Sequence, residues 1–207
     1  MGKVIVIQFI TLDGVVEDPD GRGGADFGGW AFRFGPEAIA GDKFRLGPVL
    51  DSGVLLFGRR TWEHFSRLWP ARTDWFAAAM NRARKVVVTT GAPDLDAWEN
   101  SERLDGDLLD GVARLAADRD VVVIGSTSVV RALQAAGRVD EYRLLTFPTV
   151  IGDAEAVRLL DEPAELQLVS VDAAGPGTLA VFAARQPTAA ADRRGANSIK
   201  IDRIPAE

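Results

Sequence analysis

Val54-Leu55-Leu56-Phe57-Gly58-Arg59-Arg60-Thr61-Trp62-Glu63 is an apolar run that passes through a glycine and two arginines into a helical pattern. The run predicts a strand over Val54–Phe57 covered on both faces, and the helix that follows it covers Thr61–Leu68. Such a strand end leaves Gly58 where a bulky group can approach the backbone. The helix start offers unpaired N–H groups at the positive end of its dipole, which favours an anion. Arg59 and Arg60 add charge-assisted donors suited to phosphate. Only one of two consecutive side chains at a helix start faces a cleft, and Arg59 is favoured over Arg60 for that role. An ordinary strand-to-helix turn with solvated arginines is the competing reading of this stretch alone.

A second junction of the same kind follows at Val121-Val122-Val123-Ile124-Gly125-Ser126-Thr127-Ser128, with Val129, Val130 and Leu133 at helical spacing and Gly137 as a stop. Ser126 or Thr127 is expected to cap this helix, and the amides of Ser126 to Val129 point outward past Gly125. Two anion cradles suggest a dinucleotide. Neither carries the Gly-x-Gly-x-x-Gly fingerprint, since Gly21-Arg22-Gly23-Gly24 lies in a loop with Asp26 where the last glycine would fall. No Walker lysine motif and no Gly-x-Ser-x-Gly elbow occurs.

The chain has 207 residues, 47% of them hydrophobic, which is the size of one domain with a substantial core. A formal net charge of -6 argues against a general nucleic-acid or membrane-surface binder, so an anionic ligand must be met by local positive charge. With no cysteine there is no disulfide framework, thiolate nucleophile or zinc-thiolate site. No signal peptide and no apolar run of membrane-spanning length is visible, and a soluble cytoplasmic protein is expected.

Outward from the two junctions, Lys3–Ile10 predicts a further strand buried on both faces, and Lys85–Thr90 and Glu141–Phe147 predict two more. Helices are expected over Pro36–Leu50, Thr73–Arg82 and Asp107–Ala117. Strands alternating with helices imply a mostly parallel sheet with helices on both faces. Leu166–Val171 and Thr178–Ala184, joined around Gly175-Pro176-Gly177, add an antiparallel hairpin. The expected domain is 1–185, and Gln186–Glu207 is expected to be a flexible tail because it lacks a core-forming period. Trp30, Phe32 and Phe34 lie in a long glycine-rich loop from Asp18 to Gly35, where they either plug the core edge or wall a ligand pocket.

These residues together resemble the dihydrofolate reductase-like superfamily, in its branch related to the reductase domain of the bacterial riboflavin-biosynthesis deaminase-reductase. The likeness covers about Lys3 to Arg185. It rests on the opening strand with Leu12-Asp13-Gly14, on Leu56 to Trp62, on Lys85 to Thr90, on Ile124-Gly125-Ser126, and on Val139 to Leu144 leading to Phe147-Pro148. It implies a three-layer α/β sandwich with a mixed, mostly parallel eight-stranded sheet, NADPH along the carboxyl ends of the strands, and a homodimer. Carried over, Gly58, Arg59, Arg60 and Thr61 meet the pyrophosphate and 2′-phosphate end, and Thr89 and Thr90 flank the adenosine. Gly125, Ser126, Thr127, Ser128 and Val129 hold the pyrophosphate, while Asp13 and Gly14 form the loop over the nicotinamide. The chain departs from the pattern at Asp153-Ala154-Glu155-Ala156, where relatives carry a second glycine and basic residues.

Asp42 lies sixteen residues before Gly58, the spacing at which the resemblance puts a substrate-binding carboxylate on the expected helix. It is the candidate for catalysis and substrate contact, against a solvent-facing aspartate. Trp30 is the candidate for stacking on a flat substrate, against core packing. His64, the only histidine, reads as a surface residue beside Glu63 rather than an acid or base. The function expected is an NADPH-dependent reductase transferring a hydride to a small heterocyclic or carbonyl-like substrate, pterin- or pyrimidine-like. The alternatives are a dimeric nucleotide- or ligand-binding protein without turnover, and a vestigial cleft on a protein whose dimer surface is functional.

Overall fold

The computed structural model describes residues 1–160 and 163–185. The expectation for Gln186–Glu207 lies outside them. Among the described residues no helix is long and apolar enough to cross a membrane.

Eight strands form one sheet: β1 Val4–Thr11, β2 Val54–Gly58, β3 Arg84–Val88, β4 Ser101–Arg103, β5 Val121–Ile124, β6 Glu141–Phe147, β7 Leu166–Ala174 and β8 Gly177–Ala184. Their order across the sheet is β4-β3-β2-β5-β1-β6-β8-β7. The pairs from β4 to β6 are all parallel. The last two strands join antiparallel, β8 on β6 and β7 on β8. The mixed, mostly parallel sheet with its terminal hairpin is therefore present as expected.

The β-branched runs account for the layers. In β1, Val4 and Val6 face one core and Ile5 and Ile7 the other, and the same alternation separates Val121 and Val123 from Val122 and Ile124. The first core is covered by α4 Leu108–Leu115 and α5 Thr127–Ala135. The second is covered by α1 Val49–Ser52, α2 Arg59–Leu68 and α3 Trp75–Arg82. A central strand that is apolar on both sides has no stable alternative to being sandwiched between helices.

The predicted helix over Pro36–Leu50 is not formed. That stretch holds a single 3-10 turn at Pro36–Ala38, then turns, then the short α1. Gly41, Gly47 and Arg45 adopt φ of 69°, 45° and 54°, and such left-handed steps end helical propagation. Strand β4 was absent from the sequence reading, and β3 stops at Val88, leaving Thr89 and Thr90 beyond its end.

Lys85 fixes the opposite end of β3. Its side chain is fully buried, and Nζ donates to the carbonyls of Asn81, Ala83 and Glu99 at 2.6, 2.6 and 2.9 Å. The same ammonium lies 4.5 Å from the centre of the Trp98 ring. Burial pushes its pKa down to about 8, against the opposing pull of Glu99.

Candidate functional site

Both glycine junctions sit at the carboxyl ends of parallel strands, where open α/β sheets bind ligands. At β2, Gly58 is the N-cap of α2, and at β5, Ser126 is the N-cap of α5. Neither helix start has a side-chain cap. The expectation that Ser126 or Thr127 caps α5 is thus corrected. Ser126 has turned away: its hydroxyl accepts from Gly58 N at 2.7 Å and donates to Thr61 Oγ1 at 2.9 Å. Gly125 and Ser126 reach this position through consecutive left-handed conformations, φ 55° and 59°. Contact between the junctions is close enough that a Cβ on Gly125 would lie 3.2 Å from Thr61 Cγ2, and one on Gly58 3.0 Å from Ser126 Oγ. Two helix starts without side-chain caps are therefore held side by side, with their positive dipole ends adjacent, an arrangement that can receive an anion.

Beside them lies a cleft of about 630 Å³ at the ends of β3 and β4, lined by Arg59, Thr89, Thr90, Arg103 and Asp107, with Val88 and Leu108 as apolar walls. The structure thus brings Arg59, Thr89 and Thr90 together as the sequence suggested. Arg60 is exposed and is not among the lining residues. Arg59 also approaches Glu63 at 3.8 Å, one turn along α2. Arg103 and Asp107 were missed. Arg103 sits on the short polar strand that no apolar pattern announces, and Asp107 caps α4 by accepting from Asp110 N at 2.9 Å.

The loop after β1 is tied to the segment after β6. Asp13 accepts from Gly152 N at 2.9 Å, from Ile151 N at 3.1 Å, and from Thr11 Oγ1 at 2.6 Å. These donors, Gly152 first and the Thr11 hydroxyl next, hold its pKa down at about 2. Asp13 is consequently an ionised acceptor that fixes the loop, with no proton to donate near neutrality. Gly14 takes φ 84° with open space where a Cβ would be. Arg158, which sequence reading passed over, donates to the carbonyls of Asp13, Asp153, Ala154 and Ala156, so the departing segment is folded around one guanidinium.

Asp42 does not lie on a helix. It sits in the turn before α1, and its two carboxylate oxygens accept from Leu46 N at 2.7 Å and Gly47 N at 2.8 Å. Trp30 is fully buried against Phe147, with Nε1 donating to Glu17 O at 2.8 Å. Of the two readings for this ring the structure takes the core plug, and no part of it is exposed to meet a ligand. His64 is half-buried and pairs with Asp20, its Nε2 lying 2.7 Å from Asp20 Oδ2.

This geometry suits a dinucleotide phosphate: joined helix starts for a pyrophosphate, a cleft carrying two arginines for a further phosphate, and apolar walls for a flat base. Among the described residues no cluster of His, Asp and Glu is arranged to hold a metal ion.

Comparison with known proteins gives the same answer for the fold. The model of the RibD C-terminal domain matches residues 2–180. No curated protein matches the chain. Among solved structures, a candidate riboflavin biosynthesis protein from Shewanella sp. PV-4 is similar with a TM-score of 0.66 at 18% identity, covering 89% of this chain and 99% of that one. RibD of Acinetobacter baumannii is similar with a TM-score of 0.59 at 15% identity, covering 90% of this chain and 59% of that one. A diaminohydroxyphosphoribosylaminopyrimidine deaminase/5-amino-6-(5-phosphoribosylamino)uracil reductase from Thermotoga maritima gives 0.56 at 16% identity, covering 89% of this chain and 57% of that one. The chain thus spans somewhat over half the length of these last two proteins.

Proposed function

The chain belongs to the RibD C-terminal domain family, and from that premise we propose that it is an NADPH-dependent reductase of a small flat heterocycle, pyrimidine- or pterin-like. The observation that carries this reading is the Ser126 hydroxyl, which binds Gly58 and Thr61 and so holds the two uncapped helix starts together. The pyrimidine class is supported by the name of the Thermotoga relative, which includes a 5-amino-6-(5-phosphoribosylamino)uracil reductase. NADPH, when bound, supplies the hydride.

The chain's own residues bind and orient. The amides of Thr127 and Ser128, with Gly125 allowing close approach, receive the pyrophosphate; the Val129 N–H, expected among them, is instead spent on Ser126 O at 2.8 Å. Gly58, Arg59 and Thr61 complete that side, and Arg59 with Arg103 draws the 2′-phosphate into the cleft. Thr89 and Thr90 flank the adenosine. The Asp13–Gly14 loop, held rigid by Ile151 and Gly152, limits where the nicotinamide ring can lie.

A second reading, ligand binding without turnover, is favoured by one observation. Asp42, the catalytic candidate, and Asp13 of the loop expected over the nicotinamide are both engaged by backbone N–H groups. Mixing the protein with NADPH and 5-amino-6-(5-phosphoribosylamino)uracil separates the two. Loss of NADPH absorbance that depends on the uracil supports the reductase, whereas NADPH binding with no loss across a panel of pyrimidines and pterins supports the binding protein.

The homodimer belongs to the same proposal. Leu168, Val169 and Val171 are more than half exposed on the edge strand β7, and an open apolar edge is where a second copy would add to the sheet. Sedimentation at micromolar concentration reads the mass, and a monomer would contradict it.

A further inference from the structure

From Pro148 to Leu160 the chain forms no helix and no strand beyond a single antiparallel bridge between Arg158 and Val15. One side chain organises this segment. The Arg158 guanidinium donates to the carbonyls of Asp153 at 3.0 Å and of Ala154 and Ala156 at 3.2 Å, and across to the carbonyl of Asp13 at 3.2 Å. Backbone bonds close the same seam: Val16 N donates to Val157 O at 3.0 Å, and Leu159 N to Gly14 O at 3.2 Å. Val16 and Leu159 are both buried beside it.

Arg158 also reaches a third part of the chain. Its own carbonyl accepts from Arg131 Nη2 at 2.7 Å, and Arg131 stands in the second turn of α5. Sheet order makes this junction consequential. β1 lies between β5 and β6, so the loop after β1 runs between the Gly125-Ser126 turn and the segment after β6. Asp13 and Gly14 are therefore located against α5 through Arg158, and α5 is the helix whose start receives the pyrophosphate in the reading above. A planar guanidinium with four carbonyl partners is held in one orientation, so a shift of the loop would break several charge-assisted bonds together.

We propose that Arg158 is a positioning residue, a strut that sets the Asp13–Gly14 loop at a fixed distance from α5 and so fixes the nicotinamide ring relative to the pyrophosphate. The inference rests on the dinucleotide reading above. Arg158 acts through the backbone of Asp13 and Gly14, and its guanidinium is committed to carbonyls rather than to a ligand.

The test uses the full chain and Arg158→Met, which keeps a long side chain and removes its donors. Amide hydrogen exchange at Val16 and Leu159 reads the seam without any ligand, since its rate follows the locally open population. Exchange is expected to be about tenfold faster, the scale of one lost charge-assisted hydrogen bond. Time-resolved fluorescence anisotropy of bound NADPH reads the mobility of the reduced nicotinamide itself. Expected are a dissociation constant within about threefold of the parent's and a fast depolarising component that the parent lacks. Arg158→Lys, which can still donate to some of the carbonyls, should restore part of both signals. Asp74→Ala, which removes the N-cap of α3 on the other face of the sheet, should lower the melting temperature and leave both signals at parental values. Parental exchange in Arg158→Met overturns the strut. Faster exchange with an immobile nicotinamide overturns the positioning role, as does a fast component that also appears in Asp74→Ala. Absence of NADPH binding to the parent overturns the dinucleotide reading and the positioning role with it, while the exchange rates still report the seam.

Discussion

Ser126 Oγ accepts a hydrogen bond from the backbone N–H of Gly58 at 2.7 Å, so the N-cap residue of one helix satisfies the N-cap residue of another. The geometry explains why α5 begins without a side-chain cap: the hydroxyl that would serve it is committed to the neighbouring junction. What is lost locally leaves amides available at the mouth of the sheet, where an anion can take the place of the cap.

Ser126→Ala should therefore do two things at once. The Gly58 N–H loses its acceptor, which costs about 1 to 3 kcal/mol when the donor is shielded from water. NADPH affinity should fall as well, because the two helix starts are no longer held in register. Thermal unfolding and a fluorescence titration check the pair, and a stability loss with unchanged affinity would confine Ser126 to the scaffold.

Asp13 predicts a specific acid response. Its folded pKa of about 2 lies below the ordinary 3.8, so between these values the unfolded chain holds a proton that the folded chain does not. Its contribution to stability is complete above that window and is lost as pH falls through it. Asp13→Asn should remove this part of the pH dependence of the melting temperature and loosen the β1 loop from Ile151 and Gly152. An unchanged acid profile would contradict the hydrogen-bonded role.

Lys85 gives a slope of the same sign in the alkaline range. Its folded pKa, near 8, lies below the ordinary 10.5, so stability rises with pH across that interval as the unfolded chain alone remains protonated. Lys85→Met should flatten this rise. It also strands the carbonyls of Asn81, Ala83 and Glu99, and at neutral pH a loss of about 3 kcal/mol or more is expected from unsatisfied buried acceptors. Urea unfolding of both proteins measures it.

The strands that carry the site were legible because burial on both faces writes an uninterrupted apolar run, as in Val54–Phe57 and Val121–Ile124. The glycine after each run, and the arginine pair after the first, marked the ligand end. Strand β4 was not legible: Ser101-Glu102-Arg103 is a three-residue polar edge paired on one side to β3, and it carries no hydrophobic signature. Ile39, Leu46 and Leu50 mimic a helical face, but Gly41, Arg45 and Gly47 in left-handed conformations fold the stretch into turns that spend Asp42 on its own backbone. The pairing of Ser126 with Gly58 and of Asp20 with His64 depends on the order of strands in the sheet, which no local pattern encodes.

The central claim, that the joined helix starts and the Arg59 cleft bind NADPH, is tested most directly by calorimetric titration of NADPH and NADH into the parent and into Arg59→Ala. The account predicts that the parent prefers NADPH and that Arg59→Ala weakens it by roughly ten- to a hundredfold, as one charged hydrogen-bond partner contributes about 1.5 to 3 kcal/mol, while NADH changes little. Equal losses for both nucleotides, or no heat of binding for NADPH in the parent, would contradict it.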